Sequence, residues 1–113
     1  MNEATTSGGE EEITPAHIAV VDCLLRNGLV LSFKAYGIET LPDVSSLERT
    51  LVYINLSYNH FKEFPKELFD FVQLEVIKMR NNPIRYLPDS FGLLRNLNTL
   101  VLSYCQLREL SKR

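Results

Sequence analysis

The sequence predicts an α/β fold: a short right-handed solenoid with a parallel β-sheet and an N-terminal capping helix. Apolar side chains recur at intervals of 23 residues along most of the 113-residue chain. A fixed period of this length is typical of stacked repeats rather than of a single globular core. Asn59 and Asn82 keep the same interval, and Cys105 takes that position one interval later. The recurring apolar positions form five columns: Leu51, Leu74 and Leu97; Ile54, Ile77 and Leu100; Leu56, Met79 and Leu102; Phe61, Ile84 and Leu107; Phe64, Leu87 and Leu110.

Composition and charge argue against several classes of protein. The formal net charge is −2, which gives no overall attraction to nucleic acid or to an anionic membrane. Cys23 and Cys105 stand in apolar contexts, so we interpret them as small buried side chains in a reducing compartment, not as a disulfide. The N-terminus lacks the basic start and apolar stretch of a secretory signal, and the longest apolar run, Ile18 to Val21, is far too short to cross a bilayer. We therefore expect a cytoplasmic location, or a nuclear one, and no membrane partner.

The N-terminal part of the chain predicts an acidic tail followed by a helix. Residues 1–12 are polar, small and acidic, and such a segment cannot bury enough apolar surface to offset its ordering entropy, so it is predicted to be disordered. Thr14 can accept from free backbone amides and Pro15 suits the first helical position, which marks a helix start. Gly28 is a helix stop, so the helix is predicted at about residues 15–27, within a capping segment of residues 13–27. Apolar residues at helical spacing support it: Ile18, Val21, Leu24 and Leu25. We expect this helix to cover the open apolar end of the first repeat.

Residues 28–113 divide into about four repeats. The two clearest copies are Leu51–Gln73 and Leu74–Asn96, and a degenerate copy precedes them at Gly28–Thr50. A fourth copy begins at Leu97 and is truncated after its strand and turn. The repeats therefore predict four stacked strands.

The repeated positions resemble the leucine-rich repeat motif, L-x-x-L-x-L-x-x-N/C-x-L. The resemblance covers roughly residues 28–113 and is specific, because several spaced positions recur in register. The repeat length and the Leu-Pro ending, as in Leu87-Pro88, are similar to the intracellular subclass that includes Ras-group scaffolds and adenylate cyclase regions. This resemblance implies a protein-binding solenoid whose partner is a small GTPase or another signalling protein.

Each repeat is predicted to contain a strand, a turn and a short convex segment. The L-x-x-L-x-L part alternates near its end, as a strand with one buried face does. Where the chain bends inward, Asn offers a donor and an acceptor to backbone groups that lose their ladder partners. Cys105 can donate only weakly, and Tyr36 cannot replace Asn in the first repeat, so that turn is predicted to be irregular. Apolar pairs three residues apart then predict a short helical or 3₁₀ turn: Val44 and Leu47; Leu68 and Phe71; Phe91 and Leu94.

The strand side chains that do not enter the core are predicted to form a concave binding face. Its columns contain the cations Lys34, Lys78 and Arg80 and no carboxylate, and Glu75 lies at the margin. Ser57 is also assigned to one of these columns. Tyr and Arg are enriched at binding hot spots, so we predict a protein partner with an acidic surface; the competing interpretation is a solvated strand face that happens to be basic. The residues assigned to protein binding are Lys34, Tyr53, Asn55, Tyr58, Lys78, Arg80 and Tyr104.

No pattern in the sequence indicates catalysis, a metal or a cofactor. His17 and His60 have no second ligand at metal-binding spacing. No Gly-rich phosphate loop follows a strand, and no Ser-His-Asp or Cys-His arrangement can be argued. We therefore expect a protein that is not an enzyme and takes no cofactor. Nucleic-acid binding through the tyrosines and cations of the concave face is disfavoured by the acidic overall balance.

The fourth repeat has no convex segment after Leu110. The explanation we favour is that the chain is a fragment of a longer repeat protein. The alternatives are a homodimer through an uncapped C-terminal strand edge and a partner that supplies the cap. The predicted function is a protein–protein interaction module or scaffold. The alternative is the targeting region of a larger enzyme such as a deadenylase, since leucine-rich regions also precede the catalytic domain in carbon-catabolite-repressor deadenylases.

Overall fold

The computed structural model describes residues 12–108, so most of the predicted tail and residues 109–113, including Leu110, lie outside the described part of the chain. A helix, α1 (Pro15–Leu25), is followed by four short strands: β1 (Val30–Ser32), β2 (Tyr53–Asn55), β3 (Val76–Lys78) and β4 (Thr99–Val101). Three 3₁₀ helices connect them: Ser45–Leu47, Lys66–Asp70 and Asp89–Leu93. The α/β solenoid predicted from the repeat is therefore confirmed.

The four strands form one parallel sheet in the order β1-β2-β3-β4. Leu31 pairs with Ile54, Ile54 with Ile77, and Ile77 with Leu100, so neighbouring strands are offset by one 23-residue repeat. Backbone hydrogen bonds continue past the strand ends; for example, the Tyr58 N–H donates to the Arg80 carbonyl at 2.8 Å. The sheet therefore keeps the register that the sequence period predicts.

The core lies between the sheet and the 3₁₀ segments, as alternation along the strands requires. The central residue of β1, β2 and β3 is buried, and so are Leu56 and Met79 after the strands. On the other side, Val44, Leu47, Leu68, Phe71 and Leu94 are buried, which confirms these convex positions as core. Phe91 is half-buried and packs edge-on against Phe64, with ring centroids 4.8 Å apart.

At the first 3₁₀ helix, the Ser45 hydroxyl and backbone N–H donate to the Asp43 carboxylate and hold its pKa below the usual value.

The turn asparagines satisfy backbone groups of two adjacent repeats. Asn82 is buried; its Oδ1 accepts from the Phe61 N–H at 3.1 Å, and its Nδ2 donates to the carbonyls of Leu56 and Met79 at 3.0 Å each. Asn59 makes the equivalent bonds one repeat earlier and also closes the first turn, where its Oδ1 accepts from the backbone N–H of Tyr36 at 2.9 Å. In the fourth copy, the Cys105 thiol donates to the Met79 carbonyl at 3.2 Å, so it replaces one part of what Asn does.

The ends of α1 follow the predicted signals. Pro15 occupies the first turn, and Thr14 and His17 form a reciprocal cap in which each side chain accepts from the other's backbone N–H. The helix ends at Leu25, two residues before the predicted end. Gly28 follows at φ +68°, and a Cβ there would lie 2.5 Å from the Thr50 hydroxyl oxygen, so both the turn and the close approach require glycine. No helix among residues 12–108 is long and apolar enough to cross a membrane.

The side of α1 that packs on the first repeat is not the side that the sequence predicted. Cys23 is buried, and Ala16, Ala19 and Val20 pack against the core. In contrast, the apolar residues on which the helix prediction was based are exposed: Ile18, Val21, Leu24 and Leu25. The inward residues also follow helical spacing, and their small size lets the helix backbone approach β1 closely. The exposed residues leave an apolar groove on the far side of α1, lined by Ile13, Ile18, Val21 and Leu25.

Candidate protein-binding face

The strands place the predicted binding residues on the outer side of the sheet, opposite the core. In β2 and β3 the outer residues are half-buried while the central residue is buried. Tyr53 and Asn55 lie on this side in β2, and Lys78 lies beside Asn55 in the register of β3. We call this surface the sheet face, defined by Lys34, Tyr53, Asn55, Tyr58, Lys78, Arg80 and Tyr104.

Four of these side chains form a continuous row just beyond the strand ends. The Lys34 Nζ lies 5.6 Å from the centre of the Tyr58 ring. The Arg80 guanidinium carbon lies 6.0 Å from that same ring and 5.2 Å from the ring of Tyr104. These distances are within the range of cation–π attraction. We call this row, Lys34–Tyr58–Arg80–Tyr104, the tyrosine–cation ladder.

A second aromatic–cation contact lies beside the ladder. The Lys78 Nζ is 5.4 Å from the centre of the Tyr53 ring, across the β2–β3 pair. The Asn55 side chain accepts from the Ser57 N–H at 3.0 Å, which leaves its amide group free of protein partners among the described residues. The structure therefore brings six of the seven predicted residues into two contact groups, the four-residue ladder and the Lys78–Tyr53 pair, and places Asn55 opposite Lys78 in the sheet.

The backbone holds the ladder in position. Ala35, Tyr58, Asn81 and Tyr104 occupy equivalent positions in the four repeats, and all have φ between 59° and 61°. This left-handed conformation is uncommon for residues other than glycine. It recurs in every repeat because the chain turns inward toward the Asn or Cys position just after it. The ladder tyrosines thus occupy the same backbone turn in their two repeats.

Arg80 is anchored through its backbone to the preceding repeat. Its N–H donates to the Ser57 Oγ at 3.1 Å, and its carbonyl accepts from the Tyr58 N–H at 2.8 Å. Ser57 itself is buried at 4% exposure, so its predicted position among the exposed side chains of the concave face is wrong. Its hydroxyl accepts a backbone hydrogen bond, and its small side chain leaves room for Arg80 to lean over Tyr58.

The charged side chains of the sheet face are all positive. Among residues 12–108 the one ion pair is between Asp22 of α1 and Arg26, which follows the helix, at 3.2 Å. Lys34, Lys78 and Arg80 therefore have aromatic partners but no carboxylate of residues 12–108 within ion-pair distance, and Glu75 pairs with none of them. Acidic residues occupy the opposite side, for example Glu67 and Asp70 in the second 3₁₀ helix. A positive surface without an internal counter-charge can attract an acidic partner.

The contacts between tyrosines and cations were missed by the sequence analysis, although a signal was present. Lys34 and Arg80 share one repeat position, which is Ser in the two other copies, while Tyr58 and Tyr104 share the next position. Partners in the ladder are therefore 24 or 22 residues apart instead of 23. A search at intervals one residue longer or shorter than the repeat would have found them.

The described part of the chain contains no cluster of His, Cys, Asp and Glu residues that could hold a metal ion. A second cavity of about 610 Å³ lies between the first two turns and is lined by charges of both signs, including Glu39, Lys62 and Glu67. The sheet face is therefore the site whose chemistry is the most coherent.

The comparison with known families fits this geometry. The family model described as "Leucine rich repeat" matches residues 49–107, about half of the chain. The chain belongs to the leucine-rich repeat family. The match includes β2, β3 and β4 and most of the tyrosine–cation ladder, and it leaves out α1 and the first strand, where the motif is degenerate.

Curated relatives share the repeats over part of their length. Leucine-rich repeat-containing protein 63 of Rattus norvegicus is 38% identical over 64 residues, which are 57% of this chain and 10% of that protein. The Homo sapiens protein of the same name is 34% identical over 65 residues, 58% of this chain and 11% of that protein. Oligodendrocyte-myelin glycoprotein of Homo sapiens is 34% identical over 68 residues, 60% of this chain and 13% of that protein. The matched part of this chain covers between about a tenth and an eighth of the full length of these relatives.

Membership in the family defines the general role of the fold. A solenoid exposes a long surface on which another protein can lie, and leucine-rich repeat chains are in general protein–protein interaction modules. None of the names of these relatives specifies an enzymatic activity. Both facts agree with an interaction protein.

Proposed function

We propose that this chain is a protein–protein interaction module or scaffold that binds an acidic partner through the sheet face. The observation that supports it is the set of aromatic–cation contacts on the sheet face: two cations in the tyrosine–cation ladder and Lys78 beside it lie against aromatic rings, and no carboxylate of the described chain neutralises them. Rigid aromatic side chains give large contact area at low entropic cost, and Arg and Tyr are frequent hot-spot residues. By resemblance to the Ras-group repeats, the partner is a small GTPase or another signalling protein.

Charge reversal on the sheet face tests this function. We expect the double variant Lys78→Glu/Arg80→Glu to lose the partners that the wild-type chain captures from cell extract. The matched control, Lys62→Glu/Lys66→Glu, makes the same charge change at exposed lysines away from the sheet face and keeps them. Circular dichroism establishes that both variants are folded. An unchanged set of partners in the first variant, compared by quantitative mass spectrometry, would rule out the sheet face.

The targeting region of a larger enzyme, such as a deadenylase, is the alternative role. The relatives are several times longer than the matched segment, which suits a module within a larger protein. None of their names specifies an enzyme, so we favour the scaffold. The targeting role requires an enzyme domain in the natural full-length protein, and the scaffold role does not. Mass spectrometry of the endogenous protein distinguishes them.

We also propose that self-association, if it occurs, uses the outer edge of β4. Among the described strands β4 pairs with β3 alone, and Leu97, Leu100 and Leu102 beside it are only half-buried. A strand edge that no other described strand covers can pair with another chain. Light scattering tests it: a monomer at high concentration would exclude the dimer.

A cytoplasmic or nuclear location is part of the proposal. Cys23 and Cys105 are both unpaired, which suits a reducing compartment. Fluorescence microscopy of the tagged full-length protein tests it, and secretion into the medium would contradict it.

A further inference from the structure

The tyrosine–cation ladder has a regular spacing along the sheet. Lys34 and Arg80 share one repeat position and belong to the first and third repeats, so two strand intervals separate their attachment points. Neighbouring strands lie about 4.8 Å apart, which makes this separation about 9.6 Å. Tyr58 and Tyr104 share the next position and alternate with the cations at the same separation. The ladder therefore presents a cation and a ring alternately, each type repeating at about 9.6 Å.

This spacing matches some backbone conformations of a partner segment and not others. In a polyproline II helix, residues three apart lie on the same face at about 9.3 Å. In a β-strand, residues three apart point to opposite sides, and same-side residues recur at about 6.7 or 13 Å. An α-helix offers about 10.5 Å at seven residues, but it docks through an apolar stripe, and the ladder offers only rings and charges. The spacing and the chemistry together favour polyproline II.

The side chains suit such a segment. Aromatic-lined grooves bind proline rings of polyproline II segments, and Tyr104 and Tyr58 are 71% and 43% exposed, so their rings can take this role. The Arg80 guanidinium lies between the two rings, and its N–H groups at the edge remain available for a carboxylate. A planar guanidinium held in this way can bind a carboxylate through two parallel hydrogen bonds.

We propose that the tyrosine–cation ladder binds an acidic polyproline II segment of the partner whose carboxylates are three residues apart. This inference rests on the proposed function, because it names the part of the partner that the sheet face recognises. The segment runs across the strands, with one carboxylate at Lys34, the next at Arg80 and prolines against Tyr58 and Tyr104. Charge complementarity supports this occupant, since the ladder cations have no carboxylate partner among residues 12–108.

Designed peptides test the spacing. The probe is a fluorescein-labelled peptide with four Glu-Pro-Pro units, and its anisotropy is measured against the wild-type chain. One control peptide has the same composition with no two glutamates three residues apart; another replaces every Glu by Gln. A helical peptide with glutamates seven residues apart represents the alternative backbone. We expect the first peptide to bind at least about fivefold more tightly than any of the others, and more weakly as salt is added.

Variants of the chain test the residues. We expect Arg80→Ala to weaken binding of the Glu-Pro-Pro peptide about tenfold or more, since hydrogen bonds to a charged group are lost. Arg80→Lys keeps the charge but not the planar fork, so its affinity lies between those of the wild type and Arg80→Ala. The control Lys62→Ala, on the exposed turn away from the ladder, leaves binding unchanged.

The outcomes separate this inference from the proposed function. Equal binding of the permuted peptide, tighter binding of the helical peptide, or wild-type affinity in Arg80→Ala would overturn the polyproline inference. If this happened while Lys78→Glu/Arg80→Glu still lost the captured partners, the proposed function would stand and only the ladder specificity would fall. If that double variant also kept its partners, both would fall.

Discussion

Replacement of Asn82 by Ala tests the physical basis of the repeat stack. The Asn82 side chain is 1% exposed and connects two repeats through three short hydrogen bonds, one from the Phe61 N–H and two to the carbonyls of Leu56 and Met79. All four residues are buried, so water cannot reach the groups that alanine would leave without partners. Each lost bond of this kind costs about 1–1.5 kcal/mol. We therefore expect Asn82→Ala to lower the free energy of unfolding by about 3–4.5 kcal/mol.

Urea unfolding followed by far-UV circular dichroism measures this loss as a lower midpoint with a similar slope. Asn96→Ala is the matched control, because the Asn96 side chain makes one exposed hydrogen bond, to the Val72 carbonyl at 2.9 Å, and its loss should cost about 1 kcal/mol or less. Asn82→Cys imitates the fourth repeat, where the Cys105 thiol reaches one carbonyl of the preceding repeat, and should fall between wild type and Asn82→Ala.

The reasoning would be refuted by an Asn82→Ala variant whose stability lies within about 1 kcal/mol of wild type, or equals that of Asn96→Ala. Either result would mean that the backbone groups at the turn find other partners. The bonds seen at Asn82 would then be a consequence of the turn and not one of its causes.

Three further predictions concern the core and the helix. Ile77 is fully buried between Ile54 and Leu100 in the sheet, so Ile77→Ala should lower the free energy of unfolding by about 2–5 kcal/mol. A thermal melt that shows no loss of stability would contradict the strand register. Val21→Glu should change the free energy of unfolding by no more than about 0.5 kcal/mol, whereas Cys23→Glu should lower it by about 3 kcal/mol or more because it buries an unpaired charge. Thermal melts of the two variants measure this. A larger loss in Val21→Glu than in Cys23→Glu would refute the observed orientation of the helix. Burial raises the pKa of the Cys23 thiol, so its proton is held more tightly in the folded than in the unfolded state. Stability is therefore retained below the usual thiol pKa and falls as pH rises through the folded value, and Cys23 should react with iodoacetamide only after unfolding; rapid native alkylation would contradict this.

The repeat architecture could be predicted because its causes are local and periodic. The apolar residues at Ile54 and Ile77 keep one interval, so one strand per repeat and the parallel register follow from the sequence alone. The chemistry of Asn likewise predicted its bonds to backbone groups at the turn. Even the weak replacement by Cys105 could be anticipated, because a thiol has one poor donor where the amide has two good ones.

The orientation of α1 could not be predicted in the same way. Two helical faces of this segment are apolar, one with larger residues such as Ile18 and Leu25 and one with the smaller Ala19 and Cys23. Hydrophobic size favours the first face, and close packing of the helix backbone against β1 favours the second. Periodicity contains no information about how closely the two elements approach, so the choice needed the packed structure.

The sequence determined which strand residues, such as Tyr53, Asn55 and Lys78, belong to the sheet face, since alternation along a strand assigns each side chain to one side. It determined neither the burial of Ser57 nor the contacts of Arg80 with Tyr58 and Tyr104. These depend on how neighbouring repeats lie against each other, because a long side chain crosses to the adjacent repeat and covers a small one. Repeat periodicity records what each copy shares, whereas the ladder arises from differences between copies, and only tertiary stacking places those differences side by side.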